Sequence, residues 1–182
     1  APAEILGLAT ISDALAHPLI SGLLRKVGLE EIGPHVASVP GMTPAGYVDL
    51  IDQRFSNPEI HDTVRRVAFD GASRHTGALL PVIRDAIAKG TKRDGLALSQ
   101  ALWARMCSGT RENGSTIEPN DPVWPDLNAA ALKARKDPKA WLAQRHLYGP
   151  IADDSVFAAA FANHLRSLYA HGTEETLRTY LA

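Results

Sequence analysis

Apolar side chains recur along this chain at helical spacing. Ile20, Leu23, Leu24 and Val27 stand at i, i+3, i+4 and i+7, which puts them on one stripe of a helix. The same pattern returns in Tyr47, Leu50, Ile51 and Phe55, in Leu79, Leu80, Ile83 and Ile87, in Leu98, Leu102 and Met106, and in Phe157, Phe161, Leu165 and Leu168. Start and stop signals bound these stripes. Thr10 and Asp13 have capping-box spacing, with Asp in place of the usual Glu. His17-Pro18 ends one helix and starts the next, because proline fits a first turn, where its missing N–H costs nothing. Thr43-Pro44 and Asn57-Pro58 are cap-then-proline starts; the second predicts a helix through Ile60, Val64, Val67 and Ala68 that breaks at Asp70-Gly71-Ala72-Ser73. Pro34 ends the helix of Val27 a little beyond Glu31, Gly90 ends that of Ile83, and Asp94-Gly95 opens another that stops at Gly109. Thr110 to Pro125 reads as loop, with a turn at Asn113-Gly114.

The last third is helical again. Asp126 to Arg135 and Lys139 to His146 are short amphipathic pieces separated by Asp137-Pro138, and Thr173 to Leu181 closes the chain. No run of four to eight β-branched or aromatic residues alternates between turn signals; Val36 to Val39 comes nearest and is too short to matter. The helices follow no fixed period, which excludes a solenoid. The expectation is an all-α fold, a single multi-helical domain over residues 1–182.

Composition narrows the class. Apolar residues make up 45% and charged residues 21%, which are globular values, and 182 residues are enough to bury a core without staples. The 19 basic and 20 acidic side chains nearly cancel, whereas a surface that tracks phosphates needs excess Lys and Arg, so a nucleic-acid partner is not expected. A lone cysteine, Cys107, excludes an intrachain disulfide and a cysteine-based zinc site, and its apolar neighbours make it an inert core thiol. The longest uncharged run, Ile32 to Val48, holds three prolines and three glycines and cannot be a membrane helix. The chain starts at Ala1 with neither a methionine nor a signal-peptide pattern, and the reading is a piece cut from a longer, cytoplasmic protein.

Nucleotide and metal devices are missing from the sequence. No two glycines stand at i and i+2, so the Gly-x-Gly-x-x-Gly fingerprint is absent. Gly41 to Gly46 and Gly90 to Gly95 have P-loop spacing but are followed by Tyr47-Val48 and Leu96-Ala97 instead of Lys-Ser/Thr. None of the seven histidines forms a tight ligand pair; His17, His35, His164 and His171 read as partly buried or capping residues, and no metal is expected. The stretch Arg54 to Thr76 differs, gathering Arg54, Arg65, Arg66, Asp70, Arg74 and His75 around one helix and the turn that ends it. Asp62 and Arg66, like Arg66 and Asp70, stand at i, i+4 and so share a helix face. Ion pairs on a solvated surface explain such a cluster on composition alone. It also has what a polyol site needs: arginine forks that donate to several hydroxyls, and carboxylates that hold those forks in place.

That stretch resembles the C-terminal domain of the long-chain mannitol dehydrogenase family. Arg54-Phe55-Ser56-Asn57-Pro58, Ile60, Asp62 and the run Arg66-Val67-Ala68-Phe69-Asp70-Gly71-Ala72-Ser73-Arg74 follow the family pattern. Glu30-Glu31-Ile32-Gly33-Pro34 upstream and Leu80 to Asp85 and Ala97 to Trp103 downstream are similar as well. The resemblance implies the substrate-binding part of a zinc-independent polyol dehydrogenase that interconverts a sugar alcohol, such as mannitol or arabinitol, and its ketose. It implies NAD or NADP on an N-terminal Rossmann domain absent from this chain, and a monomeric full-length enzyme. The family's catalytic Lys-x4-Asn-x2-His motif normally lies just upstream of the segment resembling Ala1 to Leu15, so no catalytic residue is expected here and the chain alone is expected to be inactive. Substrate contacts carry over to Arg66 and, eight positions later, to Arg74, where the family usually has lysine; Asp70 and Asn57 are supporting residues. Some members have a histidine where this chain has Phe69, a departure that His75 partly offsets. The alternative is a helical interaction module whose basic cluster docks an acidic partner. An upstream reading frame encoding the glycine-rich and Lys-x4-Asn-x2-His segments separates the two.

Overall fold

The computed structural model describes residues 1–37, 40–57 and 59–182. Among them the secondary structure is helical, with no strand beyond the isolated bridges Thr10–Thr63 and Thr110–Thr116. Twelve α-helices follow in order: α1 Pro2–Leu6, α2 Ile11–Ala16, α3 Pro18–Val27, α4 Pro44–Phe55, α5 Val64–Ala68, α6 Gly71–Arg74, α7 Leu80–Lys89, α8 Asp94–Cys107, α9 Trp124–Ala134, α10 Lys139–Leu142, α11 Arg145–Tyr148 and α12 Ser155–Leu181. Two π-helical turns, Gly28–Ile32 and His75–Leu79, extend α3 and precede α7.

The centre is α8, twelve of whose fourteen residues are buried, so it is enclosed on every side. The long α12 lies along it and turns Phe157, Phe161, Leu165 and Leu168 inward, the stripe read from sequence. α1, α3 and α9 complete the shell around α8. The first turn of α8 receives its cap from a distance: fully buried Glu31, on the first π turn, accepts from the Gly95 and Leu96 N–H groups at 2.9 Å each. At Gly95 the approach is close, because a Cβ there would stand 2.6 Å from Val27 Cγ2 and meet the Tyr180 hydroxyl.

Local signals set most boundaries. The Thr10 and Thr43 hydroxyls accept from the Asp13 and Gly46 N–H groups at 3.0 and 3.1 Å, capping α2 and α4 as predicted. Three expectations need correction. Asn57-Pro58 does not start a helix: Pro58 lies outside the described residues, the Asn57 carboxamide accepts from the Glu59 N–H, and α5 begins only at Val64. Residues 70–73 are not a simple break, since α6 starts at Gly71. The 139–146 piece divides into α10 and α11. The closing helix expected over Thr173 to Leu181 is present as the last part of α12, set off from the rest by a non-helical kink at Gly172, whose φ of 83° favours glycine. Of the Val36 to Val39 stretch, Ser38 and Val39 lie outside the described residues.

Candidate functional site

The predicted site residues fall on the short run α5–α6 and the π turn after it. α5 is fixed at its start by Thr63, whose hydroxyl accepts from the Arg66 N–H at 3.2 Å. Backbone bonds from Ile11 N–H to the Asp62 carbonyl and from Val64 N–H to the Ala9 carbonyl stitch it to the N-terminal helices. Arg66 is an exposed side chain, and its Nε and Nη2 both donate to the Asp62 carboxylate, Nε at 2.5 Å. Hydrogen bonding from this guanidinium holds the Asp62 carboxyl below the usual range. The Asp62–Arg66 pair read from sequence therefore forms, although Asp62 precedes the helix.

Arg66 and Asp70 do not share a helix face. α5 ends at Ala68, and Asp70 takes the left-handed conformation at φ 56°, ψ 49°. This reversal folds Arg74 back so that its Nε donates to the Phe69 carbonyl at 2.9 Å. Phe69 itself is 54% exposed. Arg66 and Arg74 share no partner among the described residues, each fork being held by a separate acceptor. Asn57 stands apart, its carboxamide engaged with Glu59.

The residues that clamp the turn come from the loop after α8, and sequence reasoning did not find them. Arg65 donates to the Glu118 and Pro119 carbonyls at 3.2 and 3.0 Å, and the Asp70 N–H donates to the Asn120 carbonyl at 2.9 Å. Asp121 then caps α6, its Oδ2 accepting from the Ala72 N–H at 2.8 Å. Asn120-Asp121-Pro122 has the look of a local turn signal, and nothing in it points to a partner 49 positions away.

His75 opens the π turn with its ring stacked on Trp103, centroids 4.0 Å apart and planes at 15°. Behind it runs a buried polar chain. Trp141 Nε1 donates to the Tyr148 hydroxyl at 2.5 Å, which donates to Gln100 Oε1 at 2.9 Å, and Gln100 Nε2 lies 2.8 Å from His75 Nδ1. Indole N–H only donates, so the direction of the chain is fixed: Gln100 presents its NH2 to His75, Nδ1 accepts, and Nε2 carries the proton. Trp103 stacks edge-on against Trp141 at 5.0 Å and closes the circuit. Burial lowers the His75 pKa to about 3, so the ring is neutral. Nε2–H has no hydrogen-bond partner among the described residues and is left as a free donor.

Beside the turn, an apolar recess of about 420 Å3 is lined by Ala1, Leu24, Phe55, Val64, Val67 and Leu79 among others. A neighbouring recess of about 350 Å3 shares Leu24, Ile32 and Ile51 with it. Cys107 is buried in the core, and burial pushes its thiol pKa up, away from nucleophilic use. Among the described residues no group of three His, Cys, Asp or Glu side chains could hold a metal ion.

Residues 1–169 match the family described as the mannitol dehydrogenase C-terminal domain. The chain is similar to mannitol 2-dehydrogenase of Cereibacter sphaeroides, 44% identical over 181 residues, and to mannitol dehydrogenase 2 of Saccharomyces cerevisiae, 33% identical over 97% of this chain. Its fold superimposes on Pseudomonas fluorescens mannitol 2-dehydrogenase, solved as a ternary complex with NAD and D-mannitol, with a TM-score of 0.92 at 27% identity over 99% of this chain. The chain spans 38%, 36% and 37% of the lengths of these three proteins. Sequence and fold thus agree over nearly every residue, and the chain belongs to the mannitol dehydrogenase C-terminal domain family.

Proposed function

We propose that this chain is the substrate-binding part of a cytoplasmic, zinc-independent, NAD(P)-dependent polyol dehydrogenase that interconverts a sugar alcohol such as mannitol or arabinitol and its ketose. The chain has neither the Gly-x-Gly-x-x-Gly fingerprint nor a complete P-loop, which supports a cofactor bound mainly by an N-terminal Rossmann domain outside these residues. What the chain contributes is hydroxyl recognition. Arg66, held by Asp62, and Arg74, held by the Phe69 carbonyl, keep donors unused for neighbouring oxygens of an extended polyol. His75 adds a neutral N–H, which donates to a hydroxyl or carbonyl oxygen without a charge to trap it. The observation that carries the reading is the Asp70 reversal, which sets both arginines and His75 around one turn. That turn lies beside the Ala1 end of the chain, where the family's catalytic motif would enter. The relatives' names, mannitol dehydrogenases with one solved with NAD and D-mannitol, support the substrate class.

Kinetics of the full-length protein test this. A charged group bonded to a neutral hydroxyl is worth about 1.5–3 kcal/mol, so Arg66→Ala should lower kcat/KM for the polyol by about ten- to a hundredfold. Arg74→Lys should cost less, since it keeps the charge and loses the fork. Cofactor affinity should stay nearly constant in both. Equal weakening of NAD and polyol use by Arg66→Ala, or no effect on either, would make these arginines structural.

A further inference from the structure

Away from the Arg66–His75 turn, a polar recess of about 470 Å3 opens where the end of α8, the loop after it, α9 and the Gly172 bend of α12 meet. Two arginines converge there on one ring: the guanidinium carbons of Arg105 and Arg135 lie 5.2 and 5.4 Å from the centroid of Tyr169. Arg105 is only 8% exposed. Its Nη1 donates to Ser108 Oγ at 3.0 Å and to the Thr110 carbonyl at 2.6 Å, while its Nε meets no acceptor. Among the described residues neither Arg105 nor Arg135 has a carboxylate within 4.0 Å. The Tyr169 hydroxyl, also shut away from solvent, has no partner either. Of the other charged groups that line the recess, Arg111 is paired outside it, and the Glu112 carboxylate stands more than 4.0 Å from both arginines. Arg111 pairs with Glu4 at 2.6 Å, and Glu112 accepts from the Thr173 N–H at 2.6 Å.

A buried guanidinium without an anion is costly, and a second one drawn to the same ring adds repulsion that a π face offsets only in part. We propose that this recess binds a small oxyanion, the phosphate or carboxylate group of a metabolite, held by the Arg105 and Arg135 forks with the Tyr169 hydroxyl as a further donor. The donor set decides the class. Planar forks suit a phosphate or carboxylate in bidentate fashion, whereas an uncharged polyol would leave both positive charges uncompensated. The site stands on α8, α9 and α12, separate from the α5–α6 turn, so it is independent of the polyol reading.

Isothermal titration of the full-length protein with inorganic phosphate, and in parallel with succinate, at constant ionic strength in chloride, tests the site. The expected result is saturable one-to-one binding of at least one of the two, with the tighter ligand distinguishing a phosphate source from a carboxylate one. Arg135→Gln, an exposed position whose replacement leaves the core intact, should weaken that binding by roughly tenfold or more. Arg105→Lys, which keeps the charge but not the fork, should weaken it as well. Absence of saturable binding by both ligands in the unaltered protein, or binding unchanged in Arg135→Gln, overturns the proposal.

Discussion

His75 shows how a residue with no distinctive sequence context acquires a defined chemical state. Stacked on Trp103 and met at Nδ1 by Gln100, the ring has one tautomer available, with its proton on Nε2. Its pKa of about 3 keeps it neutral across the physiological range. In a proton NMR titration the His75 Cε1–H resonance, assigned by loss in His75→Gln, should therefore stay flat from pH 8 to pH 5. Gln100→Glu would place a carboxylate against Nδ1 and should bring the midpoint up towards neutrality, as an opposite charge favours the protonated ring. An unaltered protein that titrates near 6.5 would contradict the buried, neutral ring. Linkage sets the sign for stability. Below about pH 6.5 the unfolded chain binds a proton that the folded ring refuses, so His75's contribution, complete above that pH, declines as pH falls towards 3.

Among the elements, those with local punctuation were legible and those fixed from afar were not. Thr10, Pro18, Thr43 and Gly90 carry their own reasons to start or stop a helix, and α2, α3, α4 and α7 begin or end where they stand. The helix expected from Asn57 begins instead at Val64, capped by Thr63, because residues 62–64 are tied to the Thr10 segment by backbone bonds that sequence spacing cannot reveal. Nothing in the sequence told either π turn from the α-helix it joins, yet each aims one polar side chain at α8: Glu31 at its first turn and His75 at Gln100. The resemblance picked out Arg66 and Arg74, while Asp121, which organises their turn, lay hidden in a proline-rich loop. Removing that cap should have a dual effect. Asp121→Ala should destabilise the fold by about 1–2 kcal/mol in urea unfolding, the usual range for a lost cap, and should also lower polyol kcat/KM because α6 no longer holds Arg74. Lost stability with unchanged polyol kinetics would place the turn outside the site.

At the scale of the whole molecule, the buried core and the surface make different demands. Around α8 the chain is closely packed, whereas the face carrying α3, α4 and α5 keeps two adjoining apolar recesses and leaves Tyr47, Leu50 and Phe69 about half exposed. Among the described residues no helix is long and apolar enough to cross a membrane. Contiguous apolar surface of this kind marks a place where another structure sits. In the proposed enzyme the cofactor domain covers it and brings the general base to the polyol held at Arg66, Arg74 and His75. The 182-residue chain by itself should then show two linked behaviours. It should give no polyol-dependent NADH formation, because it holds neither a dinucleotide loop nor the catalytic lysine motif. It should also bind an apolar dye such as ANS strongly and self-associate in sedimentation at micromolar concentration, and both signals should fall when Phe69 and Leu50 are replaced by serine. A chain that is catalytically active alone would remove the case for an absent domain. An inactive chain that stays monomeric and dye-silent would mean that the recesses are ordinary surface and that the cofactor domain docks elsewhere.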